Sequence, residues 1–449
     1  MNILRPFRAP ALLAVFAAAL LAATMLVAPT ADSAKKKPQY KNKIFFKKVT
    51  QVASPTSVTA APGFGNLLFI TSRMGKIRVM REGRMLAAPL LDLSDKVETL
   101  WVEQGLLGLT FAPDFKKTGR YYVHYTAKGG DVKVDEYAVN PEKDPTRTLP
   151  ASGRNVIRIP KVSKAGNHNG GAIAFLGKFL YIAVGDGNNP GDQQNLAQNL
   201  NSLRGKILRI DPRPDQTSGR TYRIPPSNPF VAGGGRAEIF AYGFRNPHSF
   251  DFFRPAGDGE LQMAITDVGQ GRAEEMNVLP FRLAWGANFG WKLYEGTLPY
   301  DCEAALCPGG QTPVITTPLI WPALTYSHEA GCAIIGGPYV EDKSLGKIDN
   351  RIIYGDFCTN RIRTAAPNGS WITNDRGIGS FLPPGKDQHS ALNGFGVGAG
   401  NKVYAFSNFG PVYRLVQKAV RVATPAKQKI GCKKKPNQKR CKKKSASLT

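Results

Sequence analysis

Cysteine and histidine are scarce in this chain of 449 residues, and they are badly spaced for metal. The six cysteines, Cys302, Cys307, Cys332, Cys358, Cys432 and Cys441, contain no C-x-x-C pair, and none of the five histidines stands at finger spacing to them. That disfavours a structural zinc site, whose tetrahedral ligands come from such close pairs. Acids are few as well, 33 against 60 Lys and Arg. After residue 27 no apolar run is long enough to cross a bilayer. No Gly-rich fingerprint follows a strand and opens a helix, which argues against a Rossmann nucleotide domain. With 42% hydrophobic and only 21% charged residues, the composition excludes a disordered chain and suffices for one large core or two ordinary ones.

What the sequence has in abundance is turns. Its 47 glycines and 33 prolines are dispersed along the chain, which suits many short strands rather than long helices. Strands are predicted at 44–49, 67–71, 76–80, 121–126, 132–139, 179–184, 206–211, 237–242, 261–266, 351–356, 361–365, 402–407 and 412–416. Each is bounded by Gly, Asn, Asp or Pro, and the close spacing implies antiparallel meanders. The recurring unit is an apolar run, a Gly or Asp turn and a second apolar run. Units that cannot bury their faces alone, repeated radially, give an all-β propeller. A multi-sheet sandwich is the competing all-β answer.

The ends differ from the middle. Residues 1–34 read as a secretory signal, with Arg5 and Arg8 ahead of an apolar stretch at 11–27 and small residues at Ala28, Ala31, Ser33 and Ala34. An uncleaved anchor is the alternative. A basic linker, 35–43, follows. Export suits disulfides: Cys302/Cys307, Cys332/Cys358 and Cys432/Cys441 would give three bridges, one of about 15 pairings among which sequence cannot choose. Of the net charge of +27, +8 lies in residues 1–48 and +12 from Val416 onward, which leaves +7 for the rest. The Lys-rich tail, 417–449, reads either as a polycationic arm for an anionic cell-surface polymer or lipid headgroups, or as a solubilising tail. Nucleic-acid recognition by the core is disfavoured, because its charge is modest and no recognition motif appears.

The stretch richest in chemistry is 164–187. His168 stands in an Asn- and Gly-rich loop, 166–171, ahead of the strand at 179–184 and of Gly185-Asp186-Gly187. Such a loop lets backbone approach a ligand and offers an imidazole for proton transfer, although a loop histidine bonded to its own turn looks the same locally. Glu103 and Gln104 before Gly105, Arg245-Asn246 before Pro247, Gly269-Gln270 with Glu274-Glu275, and Asn288-Phe289-Gly290-Trp291 fall in loops between the predicted strands. Carboxylates beside glycine-freed carbonyls match the hard oxygen donors that calcium takes. The other histidines, His124, His248, His328 and His389, show no partner pattern and read as structural or surface residues.

In this order the loops resemble the soluble pyrroloquinoline-quinone (PQQ)-dependent sugar dehydrogenases, the glucose/sorbosone and aldose sugar dehydrogenase family, over about residues 44–416. The carriers are Gln104-Gly-Leu-Leu-Gly108, 166–171, Arg204-Gly205-Lys206, Asn228-Pro-Phe230 with 236–243, Arg245-Asn-Pro247, Glu274-Glu275-Met-Asn277 and Asn288-Phe-Gly-Trp291. The resemblance implies a six-bladed β-propeller of four-stranded antiparallel sheets, with PQQ over its central mouth and an aldose-type sugar as substrate. His168 then corresponds to the general base that takes the proton of the sugar C1 hydroxyl while hydride passes to the quinone. Arg245 and Asn246 correspond to the pair on the quinone oxygens, where an arginine steadies developing negative charge. Glu103, with Gln104 beside it, stands where a glutamine contacts the cofactor. Gly269 and Gln270 match the segment whose carbonyls hold the cofactor's Ca2+, and Glu275 with the Phe289 carbonyl matches a second calcium site. The implied partners are a small-molecule sugar and an electron acceptor of unspecified kind, outside the cytoplasm.

Two departures stand out. The lysine and the closely spaced arginine pair that hold the quinone's carboxylates in this family are not matched. Gly355-Asp-Phe-Cys358-Thr-Asn-Arg361 puts cysteine near the lysine position, and 391–398 contains no arginine. Arg361 and Arg363 are the available substitutes. The pattern Tyr326-Ser-His328, Gly331-Cys332 and Gly355-Asp-Phe-Cys358 resembles the branch with the hedgehog-interacting-protein-like propellers. Two rivals therefore accompany the dehydrogenase: a non-catalytic surface propeller binding carbohydrate or protein, and a calcium-dependent lactonase-like hydrolase.

Overall fold

Short strands closed by tight turns find their first partners next door in sequence, and strands that follow one another directly pair antiparallel. The computed structural model describes residues 40–164, 166–187, 191–257, 259–300, 317–379 and 392–422. One compact unit spans Lys41–Val420; the other consists of the two chain ends. That second unit lies almost wholly outside the described residues, and with it the predicted signal and most of the basic tail; Cys302, Cys307, Cys432, Cys441 and His389 also lie outside them.

Three sheets are four-stranded antiparallel meanders. The first joins Ile173–Leu176, Phe179–Val184, Lys206–Ile210 and Ile239–Tyr242; the second joins Pro247–Phe253, Gln262–Asp267, Ala273–Pro280 and Leu324–Ser327; the third joins Ile334–Tyr339, Ile352–Asp356, Ile362–Asn368 and Trp371–Gly379. A further sheet runs Leu106–Phe111, Arg120–Thr126 and Val132–Asn140, the last of which pairs with both Asp144–Thr148 and Arg154–Ile159. The largest sheet unites the two ends of the unit. Tyr40–Gln51 lies beside Pro411–Arg421, then Lys402–Ser407 and Leu392–Gly398, which meets Pro55–Thr59 through the parallel pair Thr59 and Val397 before Leu67–Ser72, Lys76–Arg81 and Arg84–Met85. The first strand thus completes a sheet built by the last three, a long-range closure whose loop entropy only the finished fold repays.

Strands covered on both faces are apolar throughout, as Phe179–Val184 illustrates. Their side chains fill layers between successive sheets rather than one central core. Phe69 and Val79 pack with Phe111 and Val123; Val134 and Val156 with Ile182 and Leu208; Ile207 and Phe240 with Met263 and Ile265. Ala264 and Val278 pack with Ile334 and Ile352, Ile353 and Ile362 with Leu392 and Val403, and Phe406 and Val412 with Val58 and Ile70. Full burial of one such side chain contributes about 1.5–3 kcal/mol, so each seam between neighbouring sheets, and the seam inside the largest sheet where its two halves meet, is held by its own apolar layer. At the centre lies a cavity of about 250 Å³ bordered by Thr56, Gly108, Ile173, Ser249, Gly336 and Asn393, each from the first strand of a different run.

Every predicted strand coincides with an observed one. One predicted loop does not hold: within 267–277, Glu274, Glu275 and Asn277 belong to the fully buried strand Ala273–Pro280. Pairing on both sides, with Gln262–Asp267 and Leu324–Ser327, supplies the backbone partners that keep these polar residues in a strand.

Candidate active site

Ile173–Leu176 and Phe179–Val184 form a hairpin in which Ile173 faces Ile182. The chain before Ile173 and the chain after Val184 therefore meet at one end, and there His168 Nδ1 lies 2.7 Å from Asp186 Oδ1. Gly185 permits the approach, since a Cβ there would stand 2.2 Å from the His168 carbonyl oxygen. His168 adopts a φ of +55° and is 3% exposed, while Asp186 is fully buried. The second Asp186 oxygen accepts the Trp291 indole N–H at 2.9 Å. A carboxylate so placed assigns the imidazole proton to Nδ1 and leaves Nε2 as the ring's acceptor.

The neighbouring sheet supplies the rest. Asp267, at the end of its strand, accepts the backbone N–H groups of Arg245 at 2.8 Å and Asn246 at 2.6 Å. Burial pushes the Asp267 carboxyl up to about 7, against the lowering pull of those two hydrogen bonds. The Arg245 guanidinium donates from Nε to Gln270 Oε1 at 3.0 Å and from Nη1 to the Val268 carbonyl at 2.9 Å, and sits 5.8 Å from the Trp291 ring centre. Asn246 reaches back to the histidine loop: its Oδ1 accepts the Gly170 N–H at 3.0 Å and its Nδ2 donates to Glu103 Oε2 at 3.1 Å. The same Glu103 oxygen accepts the His168 N–H at 2.7 Å. Glu103, His168, Arg245, Asn246 and Gln270 are thereby one connected group. Gln104 is turned to its own loop, its Oε1 accepting the Trp101 N–H at 3.2 Å.

Acids gather beside Gly269 and Gln270. Strand pairing sets Glu275 opposite Asp267; Glu275 accepts Asn277 Nδ2 at 3.1 Å and the Gly296 N–H at 3.1 Å. Burial first, and then the charge of Asp267, push its carboxyl well above the usual carboxylate range. Glu295 Oε1 takes the N–H groups of Gly271, Arg272 and Ala273 at 2.7, 2.7 and 3.1 Å, while its buried Oε2 has no hydrogen-bond partner. A buried carboxylate oxygen without a donor, in a group of buried acids next to backbone carbonyls, belongs to a donor set that fits a hard cation such as Ca2+. Among the described residues no three or more His, Cys, Asp or Glu converge to hold a metal, so an ion here would take most of its ligands from carbonyls. Phe289 stacks on Phe244, with 4.5 Å between centroids. His328, expected to lack a partner, bonds through Nε2 to Glu274 Oε1 at 2.7 Å, and that contact raises its pKa.

The cationic clamp expected of a PQQ site is not assembled among the described residues. Cys358 is bonded to Cys332 in a disulfide. Arg363 gives its guanidinium to Asp375 at 2.6 Å and to the Tyr354 hydroxyl at 3.1 Å. With Arg361 it lines a cavity of about 190 Å³ walled by Leu324, Tyr326 and Asp356, which neither His168 nor Arg245 borders. The residues present fit the redox end of a quinone and leave its carboxylate end without the expected lysine and arginine pair.

Sequence reading does not single out Asp186, Asp267 or Glu295 as partners. For Asp186 a signal exists, because it flanks the far end of the hairpin that His168 precedes. For Asp267 and Glu295 nothing local announces the role.

Residues 52–372 match the family model described as Glucose / Sorbosone dehydrogenase. The HIPL1 protein of Arabidopsis thaliana is 28% identical over 412 residues, covering 78% of this chain and 57% of HIPL1, so the chain spans little more than half of that relative. The aldose sugar dehydrogenase YliI of Escherichia coli (strain K12) is 31% identical over 319 residues, 69% of this chain and 76% of YliI. The PQQ-bound aldose sugar dehydrogenase of Streptomyces coelicolor shares the fold, with a TM-score of 0.61 at 21% identity over 85% of this chain and 100% of that one. This chain belongs to the glucose/sorbosone dehydrogenase family.

Proposed function

We propose that the chain is an exported aldose sugar dehydrogenase, a six-bladed propeller that oxidises a sugar at C1 with PQQ and Ca2+. The observation that carries this reading is the connected group from Trp291 through Asp186, His168, Glu103 and Asn246, with Arg245 beside it, because it sets an oriented base next to a forked cation. When bound, PQQ supplies the acceptor for the hydride. Asp186 keeps the proton on His168 Nδ1, so Nε2 takes the proton of the sugar C1 hydroxyl as the C1–H bond breaks and the hemiacetal becomes a lactone. Arg245, its backbone held by Asp267 and its guanidinium by Gln270 and the Val268 carbonyl, would supply positive charge to the reduced quinone. Asn246 and Glu103 tie the histidine loop to the neighbouring sheet. The carbonyls of Gly269 and Gln270 would hold the cofactor's calcium, and Glu275 with the Phe289 carbonyl a second one, whose charge would offset that of the buried acids.

The six-blade count is supported by the strand runs that alternate with apolar layers around the central cavity. Export is supported by the signal-like residues 1–34 and by the Cys332–Cys358 disulfide, a bond that persists in oxidising compartments.

The test is a titration of the purified protein with PQQ and Ca2+, followed by absorbance, and then a panel of aldoses with an artificial electron acceptor. The expected result is sugar-dependent bleaching of the oxidised cofactor that is lost in His168→Ala; dye reduction that survives the substitution refutes His168 as base. A second reading, a non-catalytic surface propeller, is favoured by the engagement of Cys358 in a disulfide and of Arg363 with Asp375. Absence of binding at micromolar quinone would select it.

A further inference from the structure

The loop that delivers Glu103 to His168 has a second, outward face. Leu100 is 80% exposed, Trp101 45% and Val102 74%, three consecutive apolar residues that solvent alone does not favour. The loop is nevertheless tightly held. Arg73 Nη1 donates to the carbonyls of Thr99, Trp101 and Gln104 at 3.3, 3.0 and 3.1 Å. Glu98 Oε1 accepts the N–H groups of Thr99 at 3.0 Å and Leu100 at 3.3 Å. The indole lies against Gly166, where a Cβ would stand 2.1 Å from Trp101 Cδ1. Gly166 is two residues from His168, a separation of at most about 7 Å of extended chain. Val102 and Glu103 also border the central cavity, which puts the loop at its mouth.

A half-exposed indole on a preorganised support offers a flat apolar face at little entropic cost. Its place is against the loop that carries the proposed base. We infer that Trp101 is the platform of a second sugar subsite and that the substrate class is a reducing oligosaccharide, with its reducing-end ring at His168 and the adjoining ring on the indole. This rests on the dehydrogenase reading above.

Two measurements on wild type, Trp101→Phe and Trp101→Ala test it: kcat/KM for glucose, maltotriose and cellotriose with PQQ, Ca2+ and dye, and calorimetric titration of the quinone-free protein with the two trisaccharides. Loss of the ring should lower the trisaccharide-to-glucose ratio of kcat/KM about three- to tenfold, chiefly through KM, and weaken trisaccharide binding by a similar factor. Phe should restore most of both. An unchanged ratio, or an equal loss with glucose, overturns the subsite. If wild type reduces no dye with any sugar, the dehydrogenase reading fails by itself and calorimetry decides the platform: trisaccharide binding that weakens in the Ala variant supports it, and no binding of either trisaccharide overturns it.

Discussion

Replacing Asp186 by Asn keeps the shape of the side chain and changes one oxygen to an amide nitrogen. Asp186 Oδ1 faces His168 Nδ1 at 2.7 Å and Oδ2 faces the Trp291 N–H at 2.9 Å. Both neighbours donate, so an amide can satisfy only one of them. If its oxygen stays on Trp291, the amide N–H points at Nδ1, which must then accept, and the imidazole proton moves to Nε2, the atom proposed as base. If its oxygen turns to His168, two N–H groups oppose each other in a buried site. A hydrogen bond to a charged group contributes about 1.5–3 kcal/mol. At about 1.36 kcal/mol per factor of ten in rate, loss of orientation alone lowers kcat about 10- to 150-fold, and the reversed tautomer adds to it. The assay is dye reduction at saturating sugar with PQQ and Ca2+, joined to nitrogen NMR of protein labelled in histidine, where the two neutral tautomers give different shifts. The expected outcome is a kcat reduced at least about tenfold together with a shift of His168 toward the Nε2–H form. A kcat within about threefold of wild type and an unchanged tautomer would refute the orienting role of Asp186.

Trp291→Phe removes the donor to Asp186 Oδ2 and replaces the indole beside Arg245 with a smaller ring, and a smaller loss of kcat in the same direction, about three- to tenfold, is expected; no loss in steady-state rate would detach Trp291 from the base. His124, fully buried in Arg120–Thr126, is held down from 6.5 to about 4 by burial. Its folded state refuses a proton that the unfolded state accepts, so stability is complete above about pH 6.5 and falls as pH drops toward 4, by about 3 kcal/mol in all. Urea midpoints of wild type and His124→Gln between pH 7 and 4 should show a shallower fall in the variant, and parallel curves would contradict this. The Cys332–Cys358 bridge closes a separation of 26 residues, which corresponds to about 3.5 kcal/mol of chain entropy; the Cys332→Ala/Cys358→Ala double variant should lose stability of that order in urea, and an unchanged midpoint would exclude it. Glu103→Gln retains an acceptor for His168 and Asn246, adds a donor and removes a negative charge that would oppose a polyanionic quinone in the proposed site. PQQ should bind about three- to tenfold more tightly by absorbance titration, and weaker binding would show that the carboxylate itself is needed.

Strands sandwiched between two apolar layers announce themselves in sequence, as Phe179–Val184 and Lys402–Ser407 do. Pro55–Thr59, Ile173–Leu176, Pro247–Phe253, Ile334–Tyr339 and Leu392–Gly398 do not, and all of them border the central cavity. One reason is that in some of them the apolar residues are interrupted by glycine and proline, as in Ile334-Ile335-Gly336-Gly337-Pro338-Tyr339. Another is crowding where these strands converge: a Cβ on Gly396 would stand 2.0 Å from the Val58 carbonyl oxygen. Glycine is needed there, and in sequence glycine reads as loop.

The site divides along the same physical line. His168, Glu103, Arg245, Asn246 and Gln270 are legible because their motifs stand in a family's order. Their partners are fixed by register between segments far apart, such as the 143 residues that separate Glu103 from Asn246, and no local pattern encodes that. Glu103 shows what remains hidden even when a substitution is seen. One of its oxygens accepts both the His168 N–H and the Asn246 amide, which the carbonyl oxygen of a glutamine could do equally well. The exchange therefore leaves the protein's internal network intact and alters only what the site offers to a bound molecule: an added negative charge and the loss of a donor. For that reason the fold carries no trace of the substitution, and its consequence is to be sought in ligand affinity.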